Sequence, residues 1–271
     1  MITLANTLRQ GDHGAAVRAL QTALVTFGAA IAADGWFGPA TTRAVMDVQQ
    51  HFGLVVDGIA GPKTQQAIAA GARAPGHLTA ADLAAAAEKL GVELAVVRAV
   101  NEVESRGCGF LPDGRPVILY ERHVMYREVG TAGFDAPALA QRFPNLVNPK
   151  RGGYVGGAGE HKRLADACTI HRPSALSSAS WGAFQIMAYH WQRLGYESVE
   201  AFTDLMHTGE AAQLDAFVRF VMDAPALLKA MKAKKWAAFA EIYNGYDYAT
   251  NLYDVKLGRA YDKYKALEVS A

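Results

Sequence analysis

A twelve-residue pattern occurs twice near the start of the chain. Asp34 opens DGWFGPATTRAV, and 23 residues later Asp57 opens DGIAGPKTQQAI. The matched pairs are Asp34/Asp57, Gly35/Gly58, Gly38/Gly61, Pro39/Pro62, Thr41/Thr64, Ala44/Ala67 and Val45/Ile68. Each copy reads as an Asp-Gly turn, then Gly-Pro, then a helix. Asp-Gly suits a turn because Asp bonds its own backbone and Gly accepts positive φ. Proline suits a first helical turn, where its missing N–H would have no partner. Upstream, Gly11-Asp12 supplies a helix start, and Val17, Leu20, Gln21 and Leu24 form one helical stripe. A second helix is predicted over Thr41 to Phe52, with Val45, Val48 and Phe52 inward, and a third over Pro62 to Ala70. Three short helices in about 70 residues predict a small bundle.

The stretch from Gly71 to His77 is small-residue, Pro- and Gly-containing and aperiodic, so it reads as a linker. The expected boundaries are residues 1–72, a linker 73–78, and a second domain 79–271. Thr79 with Asp82 three residues on is a variant of the capping box, opening a helix to about Leu90. Another helix runs from Val92 to Glu104, with Val96, Val97, Val100 and Val103 on one face. At 100° per residue, Glu104 falls about 50° from the centre of that face and Glu102 on the opposite side. Glu102 therefore reads as a solvated glutamate and Glu104 as an edge carboxylate, with Gly107 as the cap that ends the helix. A carboxylic acid half inside an apolar wall has a raised pKa, as a general acid near neutral pH requires. An ion pair with Arg106 or Arg122 is the alternative.

Composition narrows the function classes. The chain has 271 residues, is 51% hydrophobic and has a formal net charge of +1, which excludes dominant disorder. It argues against a dedicated nucleic-acid binder, which is usually basic. No apolar run is long enough for a membrane span. The two cysteines allow at most one bridge, and free thiols in an intracellular protein are expected. The N-terminus lacks the basic start and apolar run of a secretory signal.

The first 70 residues resemble the three-helix type of peptidoglycan-binding domain, built on paired DGxxGPxT repeats. In that family the domain binds cell-wall material. The candidate binding residues are Trp36, Phe37, Asp34 and Asp57; the aspartates are equally explained as turn formers, and either ring can stack on sugar or close the bundle core. In the second domain, Glu104-Ser105-Arg106-Gly107 is similar to the Glu-Ser-x-Gly signature of goose-type lysozymes and lytic transglycosylases. Two further blocks follow in order: Ser180-Trp-Gly-Ala-Phe-Gln-Ile-Met187 and Ile242-Tyr-Asn-Gly245. The resemblance is to the N-acetylmuramidase domain of modular phage endolysins, and covers essentially all of residues 79–271.

That resemblance implies a mainly α fold: a small three-helix bundle joined by a short linker to a lysozyme-like, mostly helical domain with a minor β element. It implies peptidoglycan glycan strands as substrate and Glu104 as the catalytic acid. Gln185 has donor and acceptor for an N-acetyl group or sugar hydroxyl, Tyr243 a ring with a phenolic tip, and Asn244 an amide for backbone or substrate. Ser180 belongs to the same substrate-binding set, and Trp181 is placed to pave a sugar subsite. Glycosidases usually pair two carboxylates. Glu121, after the predicted strand Val117 to Tyr120, is the candidate second one, with a salt bridge to Arg122 or Arg127 as the alternative; Asp113 and Glu160 are weaker. Transglycosylases of this superfamily use one glutamate, so anhydro products stay open, as does a non-catalytic wall-binding or virion protein.

Other chemistries lack their residues. The eight histidines are scattered and no HExxH appears, so no metal and no cofactor is expected; His123 and His161 near Glu160 are the pair to test. The Gly152–Gly159 segment carries no phosphate-loop Lys-Ser/Thr and reads as a flexible loop. Lys229, Lys232, Lys234 and Lys235 read as a solvated basic face, or as an attraction to anionic lipid or wall polymer. A monomer is expected, with no stable membrane insertion. Cytoplasmic synthesis without a signal peptide would make action in the periplasm depend on a holin-type pore.

Overall fold

The computed structural model describes residues 7–105 and 108–269. Those up to Glu102, with those from Val255 onward, pack as one compact unit, and those from Val103 to Asp254 as a second. The linker expected at 73–78 does not coincide with this division.

In the first unit, α1 (Ala15–Thr26), α2 (Pro39–His51) and α3 (Pro62–Ala70) form the expected bundle. Val17, Leu20, Leu24, Val45 and Val48 share its core with Phe37. Both Gly-Pro steps start a helix, with Pro39 and Pro62 in the first turn. Each Asp-Gly turn closes on a glutamine from the helix before it. Gln21 Nε2 donates to Asp34 Oδ1 at 2.8 Å, the Trp36 carbonyl at 2.9 Å and Thr41 Oγ1 at 3.0 Å, and its Oε1 accepts the Gly35 N–H at 2.8 Å. Gln49 repeats the pattern on Asp57 (2.6 Å), the Ile59 carbonyl (3.0 Å), Thr64 (3.1 Å) and the Gly58 N–H (2.9 Å). The repeat is thus a hydrogen-bonded unit of Gln, Asp-Gly and Thr, and its glutamine lies outside the stretch that repeats visibly.

The capping box at Thr79 and Asp82 is present in both directions and opens α4 (Ala80–Leu90), which ends at Gly91 in the left-handed region. Then comes α5 (Leu94–Glu104). The cap expected at Gly107, and Arg106, lie outside the described residues. Glu102 corrects the solvated reading. It accepts from Lys263 Nζ at 2.7 Å and Tyr264 Oη at 2.6 Å, both on the C-terminal helix Tyr253–Val269. The face of α5 opposite the valines is therefore also covered.

In the second unit, β1 (Ile118–Tyr120) is followed by α6 (Arg122–Thr131), α7 (Ala136–Arg142) and α8 (Ala158–Ser177). Next come β2 (Ala179–Trp181) and β3 (Ile186–Met187), then α9 (Val199–Met206), α10 (Glu210–Met222), α11 (Pro225–Lys232) and α12 (Trp236–Asn244). The three strands are antiparallel in the order β1-β2-β3, with Ile118 opposite Trp181 and Trp181 opposite Ile186. β2 and β3 form a hairpin, with Phe184 in its turn and Ile186 and Met187 on its second strand. Its four-residue turn depends on Gly182 at φ 73° and on Gln185 at φ 52°, a left-handed conformation that is uncommon without glycine. Phe202, Phe217, Leu227 and Phe239 are buried, and the ring of Phe217 stacks on Phe184 of the turn, with centroids 5.0 Å apart. No helix among the described residues is long and apolar enough to cross a membrane.

Candidate active site

Glu104 is the last residue of α5 and only 9% exposed, so the helical arithmetic placed it correctly beside the apolar face. Its Oε1 accepts a hydrogen bond from Asn244 Nδ2 at 3.0 Å. Asn244 is the last residue of α12, and Gly245 at φ 83° turns the chain away just after it. Two helix ends thus bring together residues 140 positions apart. Donation to the carboxylate favours its charged form while burial favours the neutral one, and the bond fixes which oxygen is engaged.

Tyr243 does not bond Glu104. Its hydroxyl donates to the Phe184 carbonyl at 2.8 Å, and its ring stacks on Phe239 with centroids 5.6 Å apart. Burial, followed by the charges of Glu104 and Tyr253, pushes its hydroxyl well above the usual tyrosine value, so it stays protonated as a donor. It ties α12 to the hairpin turn and so holds Asn244 in place.

The amide of Gln185 is engaged within the hairpin. Its Oε1 accepts from Ser180 Oγ at 2.8 Å and its Nε2 donates to the Gly182 carbonyl at 2.8 Å. Ser180 and Gln185 therefore stabilise the strained turn together. Trp181 corrects the expectation that it paves a sugar subsite: it is buried, with its ring 5.8 Å from that of His207.

Glu121 stands directly before α6, with a different set of neighbours. Both its oxygens accept from Tyr154 Oη, at 2.9 and 3.0 Å, and Oε2 lies 3.0 Å from His123 Nδ1. Neither Arg122 nor Arg127 is its partner: Arg122 Nε donates to the Lys150 carbonyl and Arg127 pairs with Glu128. Burial lowers the pKa of His123 despite the adjacent carboxylate. Glu121 thereby anchors Tyr154, in the glycine-rich segment. Glu160 holds the same segment from beneath, accepting the N–H groups of Val155 (2.7 Å), Gly156 (3.0 Å) and Tyr120 (3.1 Å) beside Arg163 (2.7 Å). Burial would raise its pKa, but these bonds outweigh it and the net shift is downward. The segment expected to be a flexible loop is therefore fastened at two carboxylates. Asp113 pairs with exposed Arg115. Among the described residues, no cluster of three or more His, Cys, Asp or Glu could hold a metal ion.

In the bundle, Trp36 is 58% exposed and Phe37 0%. Phe37 therefore belongs to the core and corrects the expectation that its ring meets the wall; Trp36 presents the open aromatic face. Asp34 and Asp57 both hold turns, through the N–H groups of Trp36 and Ile59 at 2.8 Å each. Their environments differ. The Trp36 N–H and Gln21 lower the pKa of exposed Asp34, whereas burial raises that of Asp57. Lys229, Lys232, Lys234 and Lys235 are all exposed. Sequence reasoning placed Gln21 on the inward stripe of its helix but not on the turn it holds, and missed the buried residues Gln49, Glu210 and Gln213. Polar residues without a repeat or motif of their own give no signal in the chain.

Residues 93–265 match the family model of N-acetylmuramidase, and residues 13–68 that of a peptidoglycan binding domain. The crystal structure of the Burkholderia AP3 phage endolysin is 57% identical and superposes with a TM-score of 0.92, covering 97% of this chain and all of that one. A zinc D-Ala-D-Ala carboxypeptidase of Streptomyces albus G is 49% identical over 65 residues, 23% of this chain and 26% of that protein. An N-acetylmuramoyl-L-alanine amidase of Bacillus licheniformis is 41% identical over 66 residues, 23% of this chain and 18% of that protein. The chain spans only about a quarter or less of the length of these two relatives. The chain belongs to the N-acetylmuramidase family and carries a peptidoglycan binding domain ahead of its muramidase domain.

Proposed function

We propose that this chain is a phage endolysin that cleaves the β-1,4 bond between N-acetylmuramic acid and N-acetylglucosamine, with Glu104 as general acid. The carrying observation is a buried carboxylate at the end of an apolar helix, with one oxygen held by Asn244 at 3.0 Å. Asn244 engages Oε1 through its N–H, and Glu104 carries the proton that the leaving group needs. Glu104 passes it to the glycosidic oxygen as the bond to the muramic C1 breaks; the glucosamine leaves as a neutral alcohol, positive charge develops on the muramic ring, and water, or a hydroxyl of the substrate itself, adds to C1 and returns a proton to the Glu104 carboxylate. Asn244 and Tyr243 position the acid. Glu121 supports the glycine-rich segment through Tyr154 and is not required as a nucleophile. The bundle, through Trp36, holds the enzyme on the polymer and raises its local concentration there. The protein works as a monomer, made in the host cytoplasm and released to the periplasm through a holin-type pore, and the 57% identity to a phage endolysin supports that setting.

The test is turnover of purified peptidoglycan by Glu104→Gln, beside Glu102→Gln and Glu121→Gln. Loss of a general acid lowers the rate about 100-fold or more. Near-native activity of Glu104→Gln would remove the assignment; a loss in Glu121→Gln as deep as that in Glu104→Gln would restore the two-carboxylate reading. Mass spectrometry of the products separates reducing muramic acid from the anhydro ends of a transglycosylase. A wall binder without catalysis would release neither.

A further inference from the structure

Two buried side chains of α10 have no part in the chemistry above, yet they bond the backbone of two separate segments, at Gly109 and Ala183. Glu210 is 0% exposed, and its Oε1 accepts the Gly109 N–H at 2.7 Å. Gln213, one turn along the same face, is 1% exposed. Its Oε1 accepts the Ala183 N–H at 2.7 Å, and its Nε2 donates to the Met206 carbonyl at 3.0 Å and, at 3.4 Å, to the Gly109 carbonyl. Gly109 lies five residues after Glu104, and Ala183 sits in the hairpin turn between Trp181 and Gln185. The segments are also laced through Val117, whose N–H bonds the Gly109 carbonyl and whose carbonyl accepts the Gly182 N–H, both at 2.8 Å.

The fit leaves no slack. A Cβ on Gly109 would overlap Gln213 Oε1, and one on Gly182 would overlap the Gln213 side chain. Both backbones press directly on the amide, so its length sets their separation. A buried polar network of this kind, once satisfied, specifies geometry more than it adds net stability.

We infer that Gln213, assisted by Glu210, is a positioning residue of the active site: it sets the spacing between Gly109, five residues after Glu104, and the turn that carries Gln185. This rests on Glu104 as the acid. A displacement of about 1 Å at a catalytic group can cost about 100-fold in rate, so loosening this spacing lowers kcat while substrate contacts elsewhere preserve KM.

The experiment uses the full chain and a soluble muramic acid–glucosamine oligosaccharide, with thermal unfolding measured in parallel. Gln213→Met keeps length and apolar bulk but loses the amide. It is expected to fold, with kcat down at least about tenfold and KM within about threefold. Gly109→Ala alone should lower the unfolding temperature, because its methyl group meets the amide. Gly109→Ala with Gln213→Ala should recover that temperature by opening the space, but not kcat. A purely structural role predicts that activity returns with stability, and that result, or native kcat in Gln213→Met, would overturn the inference. Glu104→Gln is run beside them: if it alone proves active, the identity of the acid has failed, whereas native turnover by the Gln213 variants with Glu104→Gln dead refutes only the spacing role.

Discussion

Replacing Gln49 by Ala removes one amide and takes a partner from five groups. The donors and acceptors left behind are Asp57 Oδ1, the Ile59 carbonyl, Thr64 Oγ1, and the N–H groups of Asp57 and Gly58, at 2.6 to 3.1 Å from the amide. Gly58 and Thr64 are buried, while Asp57 and Ile59 are half-buried and can turn to water. A buried group left unmade costs about 1–3 kcal/mol and a replaceable neutral bond about 0.5–1 kcal/mol, so the variant should lose about 4 kcal/mol locally. The equivalent Gln21→Ala takes a partner from four groups, two of them on the exposed residues Asp34 and Trp36, and should lose about 3 kcal/mol. A chain of two units does not unfold in one step, so the suitable assay is amide hydrogen exchange over residues 39–70, which reads local opening free energy. If Gln49→Ala changes that free energy by less than about 1 kcal/mol, the glutamine does not hold the turn and the reasoning fails.

Neighbouring aromatic residues of the first repeat should separate binding from folding. Trp36→Ala, at an exposed ring, should weaken pull-down on purified wall while leaving exchange protection unchanged; Phe37→Ala, in the core, should destabilise the bundle by about 3–5 kcal/mol. Equal unfolding by both would show that Trp36 is structural. His190 makes a pH prediction. Burial, then Arg193, holds its pKa down to about 4 from 6.5, and Arg193 Nε donates to its Nδ1 at 2.8 Å, which requires the neutral ring. Between about pH 6.5 and 4 the unfolded chain binds a proton that the folded chain does not, so this contribution to stability is complete above 6.5 and declines as the pH falls. His190→Gln should flatten the acid limb of denaturation midpoints measured at pH 7, 5.5 and 4.5; an unchanged slope would remove His190 from the account.

The readable parts of this chain were those carried by local pattern. The Asp-Gly and Gly-Pro steps, the capping box at Thr79 and the valine stripe beside Glu104 each depend on residues a few positions apart. The sheet was legible only in β1, whose residues Ile118 to Tyr120 are β-branched, aliphatic and aromatic. Its other two strands, of three and two residues, carry no such run, and the turn between them needs Gln185 in a conformation that glutamine does not advertise. Trp181 and Phe37 show a second limit: an aromatic ring in a motif reads the same whether it faces a sugar or the core, and only packing decides. Asn244 was named as an amide near substrate or backbone, but its partner is the acid itself, from a helix end 140 residues earlier. Glu102 failed for the same reason: the helix that covers it comes from the far end of the sequence.

That far end also bears on the expectation of an independent binding domain. Read as a linker, residues 73–78 imply that deleting residues 1–72 weakens wall binding and leaves the rest folded. Within the first unit the physical situation is different. Leu54 pairs with Thr79, the cap of α4. The Asp57 carboxylate senses the charges of Lys263 and Glu102, and Tyr264, almost wholly buried, senses Asp57 in return. The second repeat therefore lies close to the Glu102–Lys263–Tyr264 cluster joining α5 to the C-terminal helix, and removing the bundle opens that cluster to water. The truncated chain should lose exchange protection over residues 255–265 and unfold at lower denaturant, with turnover of soluble fragments falling as α5 loses its support. Unchanged protection over 255–265 would show that the bundle is a simple tether, acting only through local concentration on the polymer.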